Sequence, residues 1–237
     1  MDIKYKKVLF KISGEELKGE SAPIDYDKAE TLAKTLAKLS REGVKMGLVI
    51  GGGNIFRGRD AKEKHMERSD ADSIGMLATV INAMAMKNAL IQEGAKARVM
   101  SAIPMERVCD AFTQRGAVSA VDSGEIVIFA AGTGCPYLST DTAAALRALE
   151  IGADALLCAK NIDGVYDCDP RKFPDAKRFN RLTCEEVMRR NLNALDMAAT
   201  ALCHENGLPT HVFKLTPENL EAAVRGDVDG TYVANDI

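Results

Sequence analysis

Short apolar runs alternate with stretches whose apolar residues recur every three or four positions, almost from one end of the chain to the other. Residues 7–13 (KVLFKIS), 45–50 (KMGLVI), 97–102, 125–131 (EIVIFAA), 154–159, 210–214 and 231–234 predict strands. Their apolar residues follow one another without polar alternation, as expected of strands covered on both faces. Residues 25–42 carry Ala29, Leu32, Ala33, Leu36 and Leu39 at helical spacing and predict a helix. So do residues 70–93, 106–114, 140–151, 183–190, 194–206 and 217–225, the last with Pro217 in its first turn, where a missing N–H costs nothing. This alternation predicts an α/β fold, a three-layer αβα sandwich around a mostly parallel open sheet.

After Lys160 the pattern changes. Asp169-Pro170 and Phe173-Pro174 sit in a polar stretch that reads as an irregular surface excursion. No repeat, low-complexity tract or linker interrupts the chain. We therefore expect a single domain over residues 1–237, with an N-terminal lobe to about residue 157 and a C-terminal lobe from about 158.

Composition narrows the function. A net charge of −3 argues against broad nucleic-acid binding, which needs a basic excess. No unbroken apolar run approaches the roughly 18 residues of a membrane span. The apolar run at the N-terminus is broken by Lys11, unlike a cleavable leader. A cytoplasmic protein without a membrane partner is the expectation. Six cysteines at irregular spacings, with no C-x-x-C pair and no histidine at ligand spacing, read as reduced and mostly buried thiols. His65, His204 and His211 share no spacing and read as surface or packing residues.

Five segments could carry chemistry, each at the end of a predicted strand or the start of a helix. Lys11-Ile12-Ser13-Gly14-Glu15 ends the first strand, where a parallel sheet holds its ligands. Lys11 offers a point charge for phosphate and Gly14 lets backbone N–H groups approach it; a snorkelling edge lysine is the plain alternative. Gly51-Gly52-Gly53-Asn54-Ile55-Phe56-Arg57-Gly58 follows the second strand and can cradle phosphate with bare amides and a guanidinium. It is neither a Walker A loop nor the dinucleotide fingerprint. Asp72, ahead of Gly75-Met76-Leu77-Ala78-Thr79, reads as a helix cap or as an acceptor for two ribose hydroxyls.

The loop from Ala131 through Gly132, Thr133, Gly134, Cys135, Pro136, Tyr137, Leu138, Ser139 and Thr140 to Asp141 joins the strongest strand to a helix. Its glycines and hydroxyls suit ligand binding at a helix N-terminus. Asp141 can cap that helix or face an active-site lysine. In Asn161-Ile162-Asp163-Gly164-Val165-Tyr166-Asp167-Cys168-Asp169-Pro170, Tyr166 could stack on a base and Asp163 or Asp169 accept from an adenine amino group or a ribose. An Asp/Gly/Pro turn is the alternative.

Together KISGEEL, VIGGGNIFRG, IGMLATVINAMAM, MSAIPM, AGTGCPYLSTDTAA, IDGVYDCDP and LDMAATALCHENGLP with THVFK resemble the amino acid kinase family, and within it the bacterial UMP kinases, over residues 11 to about 214. The resemblance implies the amino-acid-kinase fold and the reaction ATP + UMP = ADP + UDP of pyrimidine nucleotide biosynthesis. It implies that Lys11, Asp141 and Arg57 are catalytic, with Asp141 orienting the lysine. ATP would be held by Lys11, Ile12, Ser13, Gly14, Gly53, Arg57, Tyr166 and Asp169, with Lys160 or Asn161 beside them. UMP would be held by Gly52, Asp72 and the loop of Thr133, Gly134, Cys135, Pro136, Tyr137, Leu138, Ser139 and Thr140. Asp196 falls where the family has another acid near the phosphates. Mg²⁺ would arrive with ATP, and the assembly would be a homohexamer built from dimers. The segment Lys18 to Asp25 lacks the Gly-Phe-Gly often found there in relatives, a region tied to control by GTP.

Overall fold

The structure, a computed structural model, describes residues 2–57 and 65–237; Gly58, which closes the glycine-rich motif, lies outside them. Among the described residues, nine strands form one sheet in the order β4-β3-β5-β2-β1-β6-β10-β11-β9. They are β1 (Lys7–Ile12), β2 (Lys45–Ile50), β3 (Ala97–Ser101), β4 (Asp110–Ala111), β5 (Ile126–Ala130), β6 (Ala155–Lys160), β9 (Arg181–Thr183), β10 (Thr210–Lys214) and β11 (Gly230–Ala234). Every neighbouring pair is parallel except β10 and β11. β7 (Val165–Tyr166) and β8 (Arg178–Phe179) form a separate antiparallel ladder.

Each long strand sends alternate residues to opposite faces. From β1, Val8, Phe10 and Ile12 enter one apolar layer, packed under α1 (Tyr26–Arg41), α2 (Arg68–Gln92) and α7 (Pro217–Arg225). Leu9 enters the other, under α3 (Gln114–Asp122), α4 (Thr140–Glu150), α5 (Cys184–Arg189) and α6 (Met197–Asn206). Burial on both faces is what the continuous apolar runs encode, and the α/β sandwich follows.

Three departures have local causes. The helix expected over residues 106–114 is absent: turns lead into β4, and the helix begins at Gln114. Thr113 starts it by accepting from the Gly116 N–H at 3.2 Å, and Ala117, Ala120 and Val121 bury its inner face. Gly116 in the first turn obscured that pattern. The excursion after Lys160 is more ordered than its prolines suggested. It holds the β7–β8 ladder and the edge strand β9, whose three residues are too few for a periodic signal. Although no unbroken apolar run is long, α2 averages 1.5 in mean hydropathy over 18 residues, enough for a span by length and composition alone. Part of that apolar surface is core, with Met86 and Leu90 fully buried.

All six cysteines are free. Cys109, Cys158, Cys184 and Cys203 are buried, whereas Cys135 and Cys168 are exposed.

Candidate active site

The chain runs from β1 to β2 on one side and returns to β6 on the other, so β1 lies at the point where the strand order reverses. Crevices form at the carboxyl ends of strands at such a point. Lys11 is there, one residue from the end of β1, paired in register with Cys158 of β6. Strand parity puts Lys11, Cys158 and Lys160 on the face that α4 covers, and Asp141 stands in the first turn of α4.

The three charged groups meet. Lys11 Nζ lies 2.7 Å from Asp141 Oδ1, and Lys160 Nζ lies 3.7 Å from Asp141 Oδ2. Lys160 also donates to the Ala194 carbonyl at 2.6 Å. Burial alone would push the Lys11 ammonium down, but the Asp141 carboxylate outweighs it and holds the group above the ordinary lysine value. Burial would likewise raise Asp141, and the two lysines hold it below the ordinary carboxylate value. Lys11 and Asp141 are therefore both charged at neutral pH and form an ion pair. Cys158 beneath it is pushed up to about 12 by burial and by Asp141, which leaves an inert thiol.

Asp141 does not cap its helix. Ser139 does, accepting from the N–H groups of Asp141 at 3.0 Å and Thr142 at 3.2 Å. Asp196 caps α6 through the Ala199 N–H and accepts from the hydroxyls of Ser139 and Thr142. This tie fastens the starts of α4 and α6 beside the lysine pair.

A second group of residues surrounds the glycine loop. Gly14 opens a short 3₁₀ turn (Gly14–Leu17), and a Cβ there would lie 2.2 Å from the Gly51 carbonyl oxygen. Only glycine permits that approach. A Cβ on Gly52 would lie 2.7 Å from the Gly75 oxygen, so this loop also rests on α2. Among the described residues, neither Gly52 nor Gly53 donates its N–H to a protein acceptor. Arg57 reaches back to Glu15, with Nε at 2.8 Å from Oε1. The Ile12 side chain is wholly buried, so only its backbone is available.

A cleft of about 260 Å³ opens beside this loop, bounded by Gly52, Gly53, Asp72, Met76, Gly132 and Ser139 among others. Asp72 is not a cap: α2 starts four residues earlier, and its Oδ2 accepts from the Tyr137 N–H at 2.8 Å. The facing loop is strained, with Ala131 at φ +59° and Tyr137 at φ +72°. Thr79 holds the first by accepting from the Ala131 N–H at 2.8 Å, and Arg68 stacks 4.8 Å from the Tyr137 ring centre. Gly132 and Gly134 take left-handed φ without that penalty. Thr133 turns inward on its own loop through the Cys135 N–H at 3.2 Å; Cys135, Tyr137 and Leu138 are exposed, Pro136 is half-buried, and Thr140 begins α4.

Beyond Ala194, which accepts from Lys160, a cleft of about 140 Å³ is lined by Val165, Tyr166, Asp169 and Asn193 among others. The Tyr166 hydroxyl donates to Asp163 at 2.9 Å, and Arg178 clamps Asp163 and Asp229. Asn161 is exposed beyond the end of β6. A larger cleft between α1 and α7, about 320 Å³, is mostly apolar and lies outside this arrangement.

Thus Lys11, Asp141 and Lys160 touch; Gly14 meets the glycine loop at Gly51, and Arg57 pairs with Glu15; Asp72 with the 131–140 loop lines one cleft, and Tyr166 with Asp169 lines another. Sequence reasoning missed Glu15, Thr79 and Asn82 as contacts of these loops. Asn82 lay in an apolar helical stripe, and that misplaced polarity was the one signal.

The fold and this crevice define an α/β protein of the class that holds ligands at the carboxyl ends of parallel strands, and comparison with known proteins gives its family. The model of the amino acid kinase family matches residues 6–214. The chain belongs to that family. It is 49% identical over 237 residues to a uridylate kinase of Paramagnetospirillum magneticum, covering 99% of each chain. It is 48% identical over 233 residues to a uridylate kinase of Legionella pneumophila (strain Lens), covering 98% of this chain and 94% of that one. A solved UMP kinase from Bacillus anthracis superposes with a TM-score of 0.94 at 36% identity, covering 98% of this chain and 97% of that one. A uridylate kinase from Archaeoglobus fulgidus gives 0.74 at 29% identity, covering 96% and 99%.

Proposed function

We propose that the chain is a UMP kinase in which UMP occupies the cleft over Asp72 and ATP reaches over the Tyr166 cleft, their phosphates meeting at Lys11. The observation that carries this is the Lys11–Asp141–Lys160 cluster, together with two glycine amides that find no protein acceptor among the described residues and a cleft next to each of its two helix- and strand-end loops. An oxygen of the UMP phosphate attacks the γ-phosphorus of ATP, and the bond to the β–γ bridging oxygen breaks, giving UDP and ADP. The attacking oxygen is already anionic, so no strong base is required. Catalysis is positioning and charge neutralisation.

Lys11 neutralises the transferring group, and Asp141 holds its ammonium in place and charged. Lys160, on the same face, is the better placed of the two candidates beside ATP; Asn161 is the weaker one. Arg57, once released from Glu15, and the amides of Ser13, Gly14 and Gly53 hold ATP phosphates, with Tyr166 and Asp169 at the adenosine. Gly52 and residues 133–140 wrap the uridine and its phosphate, and Asp72 takes the ribose hydroxyls.

Asp141 and Asp196 are already engaged by lysines, hydroxyls and an amide, and among the described residues no three His, Cys, Asp or Glu side chains stand poised for a metal. That fits Mg²⁺ carried in on the ATP phosphates, keeping mostly phosphate and water ligands, and supplying further charge neutralisation. The reading extends to a cytoplasmic enzyme of two lobes on one sheet, assembled as a homohexamer from dimers. Ile74, Leu77 and Ile81 line one exposed stripe of α2 and supply an apolar contact face.

A coupled assay with ATP, Mg²⁺ and each nucleoside monophosphate in turn tests this: UDP should form from UMP, and phosphorylation of acetylglutamate or carbamate without any UDP would overturn the reading. Asp72→Asn should raise the UMP KM about tenfold, the worth of a hydrogen bond to a charged group, with kcat little changed. An unaltered KM would remove Asp72 from the ribose site.

A further inference from the structure

We infer that Asn82 and Asn54 are a positioning pair for phosphoryl transfer: a closed, buried amide–amide contact that sets the glycine loop against α2. Asn82 lies in the middle of α2 and is completely buried, and Asn54 is nearly so. A helix interior facing an apolar layer has no use for a carboxamide unless it is satisfied. Here both donors of each amide are used. Asn82 Nδ2 donates to the Gly51 carbonyl at 2.7 Å and to Asn54 Oδ1 at 2.8 Å. Asn54 Nδ2 donates to Asn82 Oδ1 at 3.0 Å and to the Pro23 carbonyl at 2.8 Å.

The consequence is directional. A peptide plane whose carbonyl is pinned has its following N–H pinned too, because the plane is rigid. Fixing the Gly51 oxygen on Asn82 therefore turns the Gly52 N–H away from Asn82, and Gly52 is a residue that lines the cleft. Three consecutive glycines cannot hold that orientation themselves. The same pair sits against the 3₁₀ turn after Lys11, where a Cβ on Gly14 would come 2.5 Å from Asn54 Oδ1. Neither amide reaches the cleft, so the pair acts through the loop it holds.

The inference rests on the phosphate-loop reading given above. The experiment is steady-state kinetics of Asn82→Asp, Asn82→Ala and the unsubstituted chain with ATP, Mg²⁺ and UMP, alongside thermal melts. Asn82→Asp keeps the shape and sets an acceptor against the Gly51 oxygen. Its kcat at saturating substrates should fall at least about thirtyfold at pH 8, a larger factor than the change in either KM, as expected when alignment is lost. Its kcat relative to the unsubstituted chain should climb as pH is lowered, since the protonated carboxyl regains a donor, whereas the Asn82→Ala ratio stays flat. If Asn82→Asp does not fold, Asn54→Ala reads the same disproportionate loss of kcat. The inference is overturned if folded variants keep kcat within twofold, or if the loss merely tracks the unfolded fraction. An unsubstituted chain that forms no UDP overturns the phosphate-loop reading and this inference together; UDP formation with unaffected variants overturns this inference alone.

Discussion

Lys11 shows how much one side chain depends on its surroundings. In the sequence it is a lysine inside a strand; in the fold it is a nearly buried ammonium 2.7 Å from a carboxylate. Lys11→Ala should lower kcat by about 10²–10³-fold, the usual loss for one transition-state charge contact, while the UMP KM moves less than about threefold. It should also lower the melting temperature, because Asp141 loses its closer partner. His211 makes a different prediction. It is buried between the rings of Tyr5 and Tyr232, its Nε2 3.0 Å from the Tyr5 hydroxyl, and burial together with Lys4 lowers its pKa to about 4. An unfolded chain takes up that proton near pH 6.5. Between those values the unfolded state binds more protons, so stability falls as pH is lowered through 6.5 toward 4. The loss should reach about 2 kcal/mol at pH 5. Denaturant midpoints at pH 7 and pH 5 should differ less in His211→Gln than in the unsubstituted chain; an equal difference would assign the acid sensitivity elsewhere.

At the scale of elements, the site is assembled from strand ends, helix starts and tight turns. β1 ends in a 3₁₀ turn and β2 in the glycine loop, and the two backbones meet at Gly14 and Gly51. Gly14→Ala forces a Cβ onto a backbone oxygen that cannot rotate away. Overpacking of this kind costs about 1–3 kcal/mol. The expected result is a lower melting temperature and an ATP KM raised about tenfold or more, with the UMP KM less affected; unchanged ATP kinetics would place the nucleotide away from this turn. β1, β2, β5, β10 and α7 were readable because both-face burial and Pro217 leave direct marks in the residue order. α3 was not, since Thr113 and Gly116 hid its start, and β7, β8 and β9 are too short to show a period. The 131–140 loop could be recognised as special from its glycines and hydroxyls. Its non-glycine left-handed residues, Ala131 and Tyr137, carried no such mark, because Thr79 and Asp72 hold them from 52 and 65 positions away.

For the whole molecule, the stripe of Ile74, Leu77 and Ile81 leaves α2 apolar on both sides, one against the sheet and one toward solvent. Ile81→Glu should shift sedimentation velocity to a smaller species than the unsubstituted chain; identical profiles would show that this stripe is not the contact between copies. The residue order by itself determined the layered α/β architecture, because the period of apolar residues states whether each segment is buried on one side or two. It also determined the residue types on which the proposed phosphate site rests: a strand-end lysine, a glycine loop with an arginine, and a hydroxyl-rich loop closed by an aspartate. Only the tertiary structure decided that Lys160, and not Asn161, joins Lys11 at Asp141. That choice follows from the register of β6 against β1, which puts Lys160 on the face of Lys11 and leaves Asn161 beyond the strand. It likewise decided that Asp72 caps nothing and that two asparagines meet under the glycine loop. Such contacts depend on strand order and helix placement. Those are fixed by the packing of the entire sheet, and no local stretch of sequence contains them.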